Sequence, residues 1–214
     1  MGGDAWGRGV ATSVCILVVV VSAGCGALSG SGSLTFTASN ATVDSRALSE
    51  TNYSLQRAEN TTIDRSIEVG GETKSLTITN HVATYGAEYR GAPLAHAVLL
   101  STPRAGAFGQ GLNPLGQAAR RDLVERASDR AGDLAVDRRV DNRTIRTLGQ
   151  EVTVTRYAAT ASGNGSGSGG SAEVYVLLMR ATHDGDYVIA AITYPRELDA
   201  GLEDALTLLR NIEH

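Results

Sequence analysis

The sequence predicts an α+β domain in which a mostly antiparallel β-sheet packs against two main helices. Three observations carry that expectation. Glu173 to Arg180 and Tyr187 to Tyr194 are apolar on both faces and are joined across His183-Asp184-Gly185-Asp186, the pattern of a central hairpin that needs cover on both sides. Apolar residues recur at helical spacing twice, at Ala119, Leu123, Val124, Ala127, Ala131 and Leu134, and again at Leu198, Leu202, Ala205, Leu206, Leu209 and Ile212. An apolar content of 42% in 214 residues is enough for one ordinary core once a leader is removed.

Along the chain, Leu34 to Ala38 alternates as a strand, and Asp44 to Thr51 forms a short helix with an Asp start before Tyr53. Ile63 to Val69 and Thr73 to Thr79 flank Gly70-Gly71, a dipeptide suited to a tight hairpin turn, and the second strand continues through Asn80 to Tyr85. Leu94 to Leu100 reads as an interior strand that Ser101-Thr102-Pro103 ends, after which Arg104 to Gly116 is a long ordered surface loop. An amphipathic helix follows over Gln117 to Leu134, with Asp122 and Arg126 paired on its wet side. Glu151 to Tyr157 is a further strand, Ser162 to Ser171 is too rich in Gly and Ser to pack, and Pro195 closes the hairpin ahead of a terminal helix capped by Asp199. The order of long helix, strand, hairpin and C-terminal helix resembles the PsbP-like fold, a likeness that implies architecture and transmits no activity.

The N-terminus has the layout of an export signal. Arg8 precedes the uncharged run Val10 to Ala23, and small residues follow. As a helix that run of 14 residues spans about 21 Å, short of the ~30 Å hydrocarbon core, which favours a cleaved signal over residues 1–24. Ser22-Ala23-Gly24-Cys25 resembles the lipobox of bacterial and archaeal lipoproteins, although that pattern usually has Leu where Ser22 stands. The resemblance implies cleavage before Cys25 and a lipid on its thiol, with residues 25–33 as a flexible Gly/Ser tether and residues 34–214 as one exported domain. The alternative is an uncleaved anchor over Gly9 to Leu28, free of charge, and both arrangements leave the rest outside. On an exported chain each Asn-x-Ser/Thr triplet, at Asn40, Asn52, Asn60, Asn142 and Asn164, is a candidate glycan site.

Composition and motifs exclude more chemistry than they suggest. Nineteen basic against 23 acidic residues give a net charge of −4 with no basic cluster, and aromatics make up 5%, which excludes a nucleic-acid partner. Both cysteines, Cys15 and Cys25, lie in the leader region, so the domain has no disulfide framework and no thiol nucleophile or ligand. A Gly-x-Ser-x-Gly elbow and a Ser-x-x-Lys pair are absent, and His81, His96, His183 and His214 sit on different elements without metal-ligand spacing. No catalytic residue, metal site or cofactor is therefore assigned. The candidate binding loop is the segment marked by Thr102, Pro103, Asn113 and Pro114, because rigid scaffolds present their contacts on such connections.

Leu34-Thr-Phe-Thr-Ala38, Ala47-Leu48 with Thr51-Asn-Tyr53, Thr77-Ile-Thr-Asn80 with Tyr85, Ser101-Thr-Pro103, Asn113-Pro-Leu-Gly116, Gly185-Asp-Tyr-Val188 and Tyr194-Pro195 together resemble a family of haloarchaeal lipoproteins that carries a domain-of-unknown-function label. The resemblance runs from Leu34 to His214 and implies a salt-loving archaeon and a protein tethered to the outer face of the cell membrane. Lys74 as the single lysine among 19 basic residues fits such a source. The function expected is a non-enzymatic binding or accessory module with a protein or small-molecule partner; the alternative is an extracytoplasmic enzyme whose site is assembled only in three dimensions. Replacing Cys25 by Ser is expected to release the protein from the membrane fraction or leave an uncleaved precursor, since only the thiol can carry the lipid. Unchanged processing and anchoring on cell fractionation would point instead to a spanning segment.

Overall fold

The computed structural model describes residues 33–69, 71–89, 92–107, 110–111, 113, 134–162, 171–198 and 200–214. The leader over 1–24, Cys25 and the tether up to residue 32 lie outside them, as do Gly70, the Gly/Ser segment 163–170 with Asn164, Pro114 and Asp199. Residues Ser33–His214 form one compact unit.

In chain order the strands and helices are β1 (Leu34–Thr37), β2 (Thr42–Val43), α1 (Ser45–Thr51), β3 (Tyr53–Val69), β4 (Glu72–Tyr89), β5 (Ala92–Pro103), β6 (Gly106–Ala107), β7 (Gln110–Gly111), β8 (Leu134–Thr147), β9 (Gln150–Ser162), β10 (Ser171–His183), β11 (Asp186–Pro195), α2 (Gly201–Arg210) and β12 (Ile212–Glu213). The main sheet runs β4-β5-β11-β10-β9-β8, antiparallel throughout, with β3 along one side of β4. Because β3 lines β4 from residue 72 to 87, the other side of β4 is shared: β1 pairs in parallel with residues 76–79 and β5 with 81–89.

Local chemistry explains the turns and caps. The Asp44 carboxylate accepts from the backbone N–H groups of Arg46 and Ala47, at 2.7 and 3.4 Å, and starts α1; Asn52 in the left-handed region ends it. β10 and β11 turn through Asp184 and Gly185, and β8 and β9 through Leu148 and Gly149. All four residues have positive φ, which is the backbone of a type I′ hairpin and matches the twist of the strands it joins.

β10 and β11 are the centre of the core because both their faces are covered. Leu177, Met179 and Ala181 of β10 with Val188, Ala190, Ile192 and Tyr194 of β11 pack under α2, which contributes Ala205, Leu206, Leu208 and Leu209. Each of those three leucines is 1% exposed, and burial on this scale is worth about 1.5–3 kcal/mol per side chain. Val174, Val176, Leu178, Ile189 and Ala191 form a second cluster on the opposite face, and Leu34, Leu76, Ile78 and Ala105 a third where β1 joins. Arg196, just past β11, ties the other side of the sheet together: it donates to the carbonyls of Val174 and Ala159 and pairs with Asp137 and Glu173.

The α+β expectation with two main helices, and with it the PsbP-like order, is corrected. Among the described residues strand makes up 73% and helix 12%, in two small helices beside a large mixed sheet. The expected helix over Gln117 to Leu134 lies outside the described residues except at Leu134, which opens β8. Ser101-Thr102-Pro103 continues β5 instead of ending it, because its polar side chains find buried partners. At α2 the N-cap is Ala200 with no side-chain bond.

Gly201 sits where a Cβ would run into the ring of Tyr194, itself 2% exposed and unable to retreat. Gly201→Ala is therefore expected to destabilise by about 1–3 kcal/mol through overpacking, opposing the ~1 kcal/mol that Ala gains over Gly in a helix. A thermal melt checks the sign: a higher Tm for the variant would show that α2 has room to shift.

Candidate functional site

Two places bring chemistry-bearing side chains together, one at each end of the stretch over which β4 and β5 pair. At the first end, a carboxylate, a hydroxyl and an imidazole meet on the helix-covered face. Asp186, the first residue of β11, is 5% exposed, and its Oδ2 accepts from the backbone N–H of Ser39 at 2.8 Å. The same oxygen lies 3.2 Å from Nε2 of His214 and 3.5 Å from the Ser101 hydroxyl, and Ser101 Oγ is 2.9 Å from that same Nε2.

Serine, histidine and aspartate are the residues of a hydrolytic triad, but the geometry differs from a proton relay. A relay needs the carboxylate on one ring nitrogen and the hydroxyl on the other. Here both converge on Nε2, and Nδ1 is buried without a partner among the described residues. With the proton placed on Nε2, facing the carboxylate, the accepting nitrogen of the ring is Nδ1, which does not meet the Ser101 hydroxyl. Ser101 is also fully buried, out of reach of a substrate. The ring of His183 meets that of His214 edge-on at 5.4 Å, and among the described residues no group of histidines and carboxylates has the arrangement of a metal site. His96 is exposed.

Of the candidate binding-loop residues, Thr102 lies behind this cluster, on the opposite face of the sheet, where Asn113 bonds to it, whereas Pro103 shares the face of Ser101 and Pro114 lies outside the described residues. Asn113 donates to Thr102 Oγ1 and to the Pro103 carbonyl, both at 2.6 Å; Thr102 donates to Asn80 Oδ1, and Asn80 Nδ2 donates to the Thr61 carbonyl. Thr102 and Pro103 are buried and Asn113 is 2% exposed, so these three tie β5, β4 and β3 to the segment that follows. Four candidate glycan sites, Asn40, Asn52, Asn60 and Asn142, are all exposed.

The second place is an open recess of about 100 Å³ between the end of α1 and the start of α2. It exists because Ala87 of β4 and Ala95 of β5 leave space under the helices. Thr51, Asn52 and Tyr53 wall one side, Gly201 and Asp204 the other. Tyr53 is 5% exposed, and its phenol pKa is pushed up by burial first and then by the negative charge of Asp204, so it stays neutral. Burial raises the Asp204 carboxyl, and no cation among the described residues offsets it. The recess thus holds a partly desolvated carboxylate and a neutral phenol with no positive partner among the described residues. Sequence spacing had no means of showing this, because Tyr53 and Asp204 come from opposite ends of the domain.

A model of a family described as a domain of unknown function, DUF6517, matches residues 40–213. No curated protein matches the chain.

His81 gives the first end of the sheet a measurable pH dependence. Its Nδ1 accepts from the backbone N–H of Ala41 at 3.4 Å, and burial holds its pKa below the usual 6.5. The unfolded chain therefore takes up a proton more readily than the folded one, and stability falls as pH drops below 6.5 towards the lower folded value. Melts between pH 7 and pH 5 are expected to show a shallower acid decline for His81→Gln than for the parent protein. Equal declines would mean that His81 is not the group responsible.

Proposed function

The chain belongs to the DUF6517 family, and from that premise we propose that it is a non-enzymatic binding module tethered to the outer face of the cell membrane, taking a cationic group of its partner into the Tyr53–Asp204 recess. The observation that carries the binding role is the Asp204 carboxylate, which no cation among the described residues offsets, in an open depression with a small floor. A planar guanidinium or an ammonium supplies the missing charge, and the bond it makes is charge-assisted.

The tether rests on the lipobox-like Ser22-Ala23-Gly24-Cys25 after an uncharged run, and on a family match that begins at residue 40, beyond the leader. The resemblance to haloarchaeal lipoproteins and the near absence of lysine support a salt-loving archaeal source, and the exposure of the four described sequons supports glycosylation on an exported chain. Against the enzyme alternative stands the geometry of the catalytic-looking trio among the described residues, Ser101, His214 and Asp186, in which hydroxyl and carboxylate share one ring nitrogen and the serine is buried.

Methylguanidinium is a suitable probe. Titrated into the purified protein and followed by NMR, it is expected to shift resonances of Tyr53, Ala87 and Asp204 saturably. Asp204→Asn is expected to weaken that binding about tenfold, the 1.4 kcal/mol worth of one charge-assisted hydrogen bond. Shifts spread over the whole surface, or the same affinity in Asp204→Asn, would remove the recess as the site.

A further inference from the structure

Besides the four-residue β1, the large sheet has two long open edges among the described residues. β3, 17 residues long, pairs only with β4, and β8, 14 residues long, pairs only with β9. An unpaired edge of this length is a template on which a second copy can add its own strand. Part of each edge is already blunted. The β3 register shifts between Leu55 and Arg57, and the β8 register shifts twice, between Val136 and Arg138 and between Arg139 and Asp141. Beyond the shifts, Arg57–Val69 and Asp141–Thr147 run on in unbroken pairing, where only charges such as Glu59, Arg65, Arg143 and Arg146 discourage a partner. Repulsion between charges is screened within about 3 Å at 1 M salt.

Each of these uninterrupted runs contains one sequon. Asn60-Thr61-Thr62 lies inside β3 with Asn60 opposite His81, and Asn142-Arg143-Thr144 lies inside β8 with Asn142 opposite Thr155. Both asparagines and both threonines at the third position are exposed. The registers set the two sites on opposite faces. Asn60 lines up with His81, Ser101 and Val188 on the helix-covered face, and Asn142 with Thr155, Leu178 and Ala191 on the other.

We infer that N-glycans on Asn60 and Asn142 guard the two long open edges of the sheet against pairing with a second copy of this chain. The inference rests on the export proposed above, since the donor, a lipid-phosphate-linked glycan, is met outside the membrane. In the transfer the Asn Nδ2 loses a proton and bonds to the anomeric carbon of the sugar, while the bond from that carbon to the donor's phosphate oxygen breaks. A glycan excludes a second edge by its bulk, which salt does not screen.

The test uses protein purified from its own cells. Peptide mass spectrometry is expected to find glycan on Asn60 and on Asn142. The double variant Asn60→Gln/Asn142→Gln is expected to self-associate at least about tenfold more strongly by sedimentation at matched salt. Thr62→Ala/Thr144→Ala, which keeps both asparagines and removes both sequons, is expected to do the same. Glycosylated protein whose variants all stay monomeric overturns the guarding role, as does association in the Gln variants alone. Protease treatment of intact cells reports export separately: a chain that is cut from outside yet unmodified at both sites overturns this inference and leaves the tether standing, whereas a chain that is never cut and carries no glycan overturns both.

Discussion

A single buried carboxylate holds the two ends of the folded unit together. Leaving the charge of Asp186 unpaired in the interior would cost several kcal/mol. The fold meets that cost with a backbone N–H just past β1, a hydroxyl from β5 and the imidazole of His214, three groups far apart in sequence. The pairing of β12 with β2 and the bond from the Asp44 N–H to the Asn211 carbonyl bring the same two ends together a few residues away. Neither end can fray without exposing a group that the other needs, which joins the periphery to the hydrophobic centre at β10 and β11.

The two ends of the stretch over which β4 and β5 pair solve one steric problem in opposite ways. Around Ser101 and Thr102 the side chains on both faces are polar, and each finds partners within the protein, so the space is filled and closed. Around Ala87 and Ala95 the side chains are methyl groups, too short to reach the helices above, and the space stays open with a carboxylate at its margin. The trio that looks catalytic thus turns its hydrogen bonds inward, and the place that looks empty holds a carboxylate that no cation among the described residues meets.

Elements driven by apolar burial were legible in the sequence, and elements held by polar contacts were not. The β10–β11 hairpin with its Asp184-Gly185 turn, the helix started by Asp44 and the apolar stripe of α2 announce themselves by period or by cap. β8 is hidden because, as a charged edge strand broken by two register shifts, it shows no alternation: its burial is confined to Ile145 and Thr147 at one end. The first half of β3 is exposed on both faces and leaves no apolar pattern, so the hairpin around Gly70-Gly71 read as far shorter than it is. Ser101-Thr102-Pro103 looked like a strand end because its composition is polar, whereas its partners Asn80, Asn113, Asp186 and His214 are supplied by distant segments. The same distance hid the recess, since neither Tyr53 nor Asp204 stands in a motif.

The parallel placement of β1 has a mechanical consequence. Any pull on the chain ahead of Ser33 reaches the folded unit through β1, whose four residues lie alongside residues 76–79 of β4. Just behind them come the Ala38 N–H bond to the Thr79 carbonyl and the Ser39 N–H bond to Asp186. A force directed along β1 loads these bonds side by side in shear, so they resist together and fail together, whereas a force across it opens them one at a time. The direction of drag on the N-terminus, more than its size, then decides whether the unit stays closed.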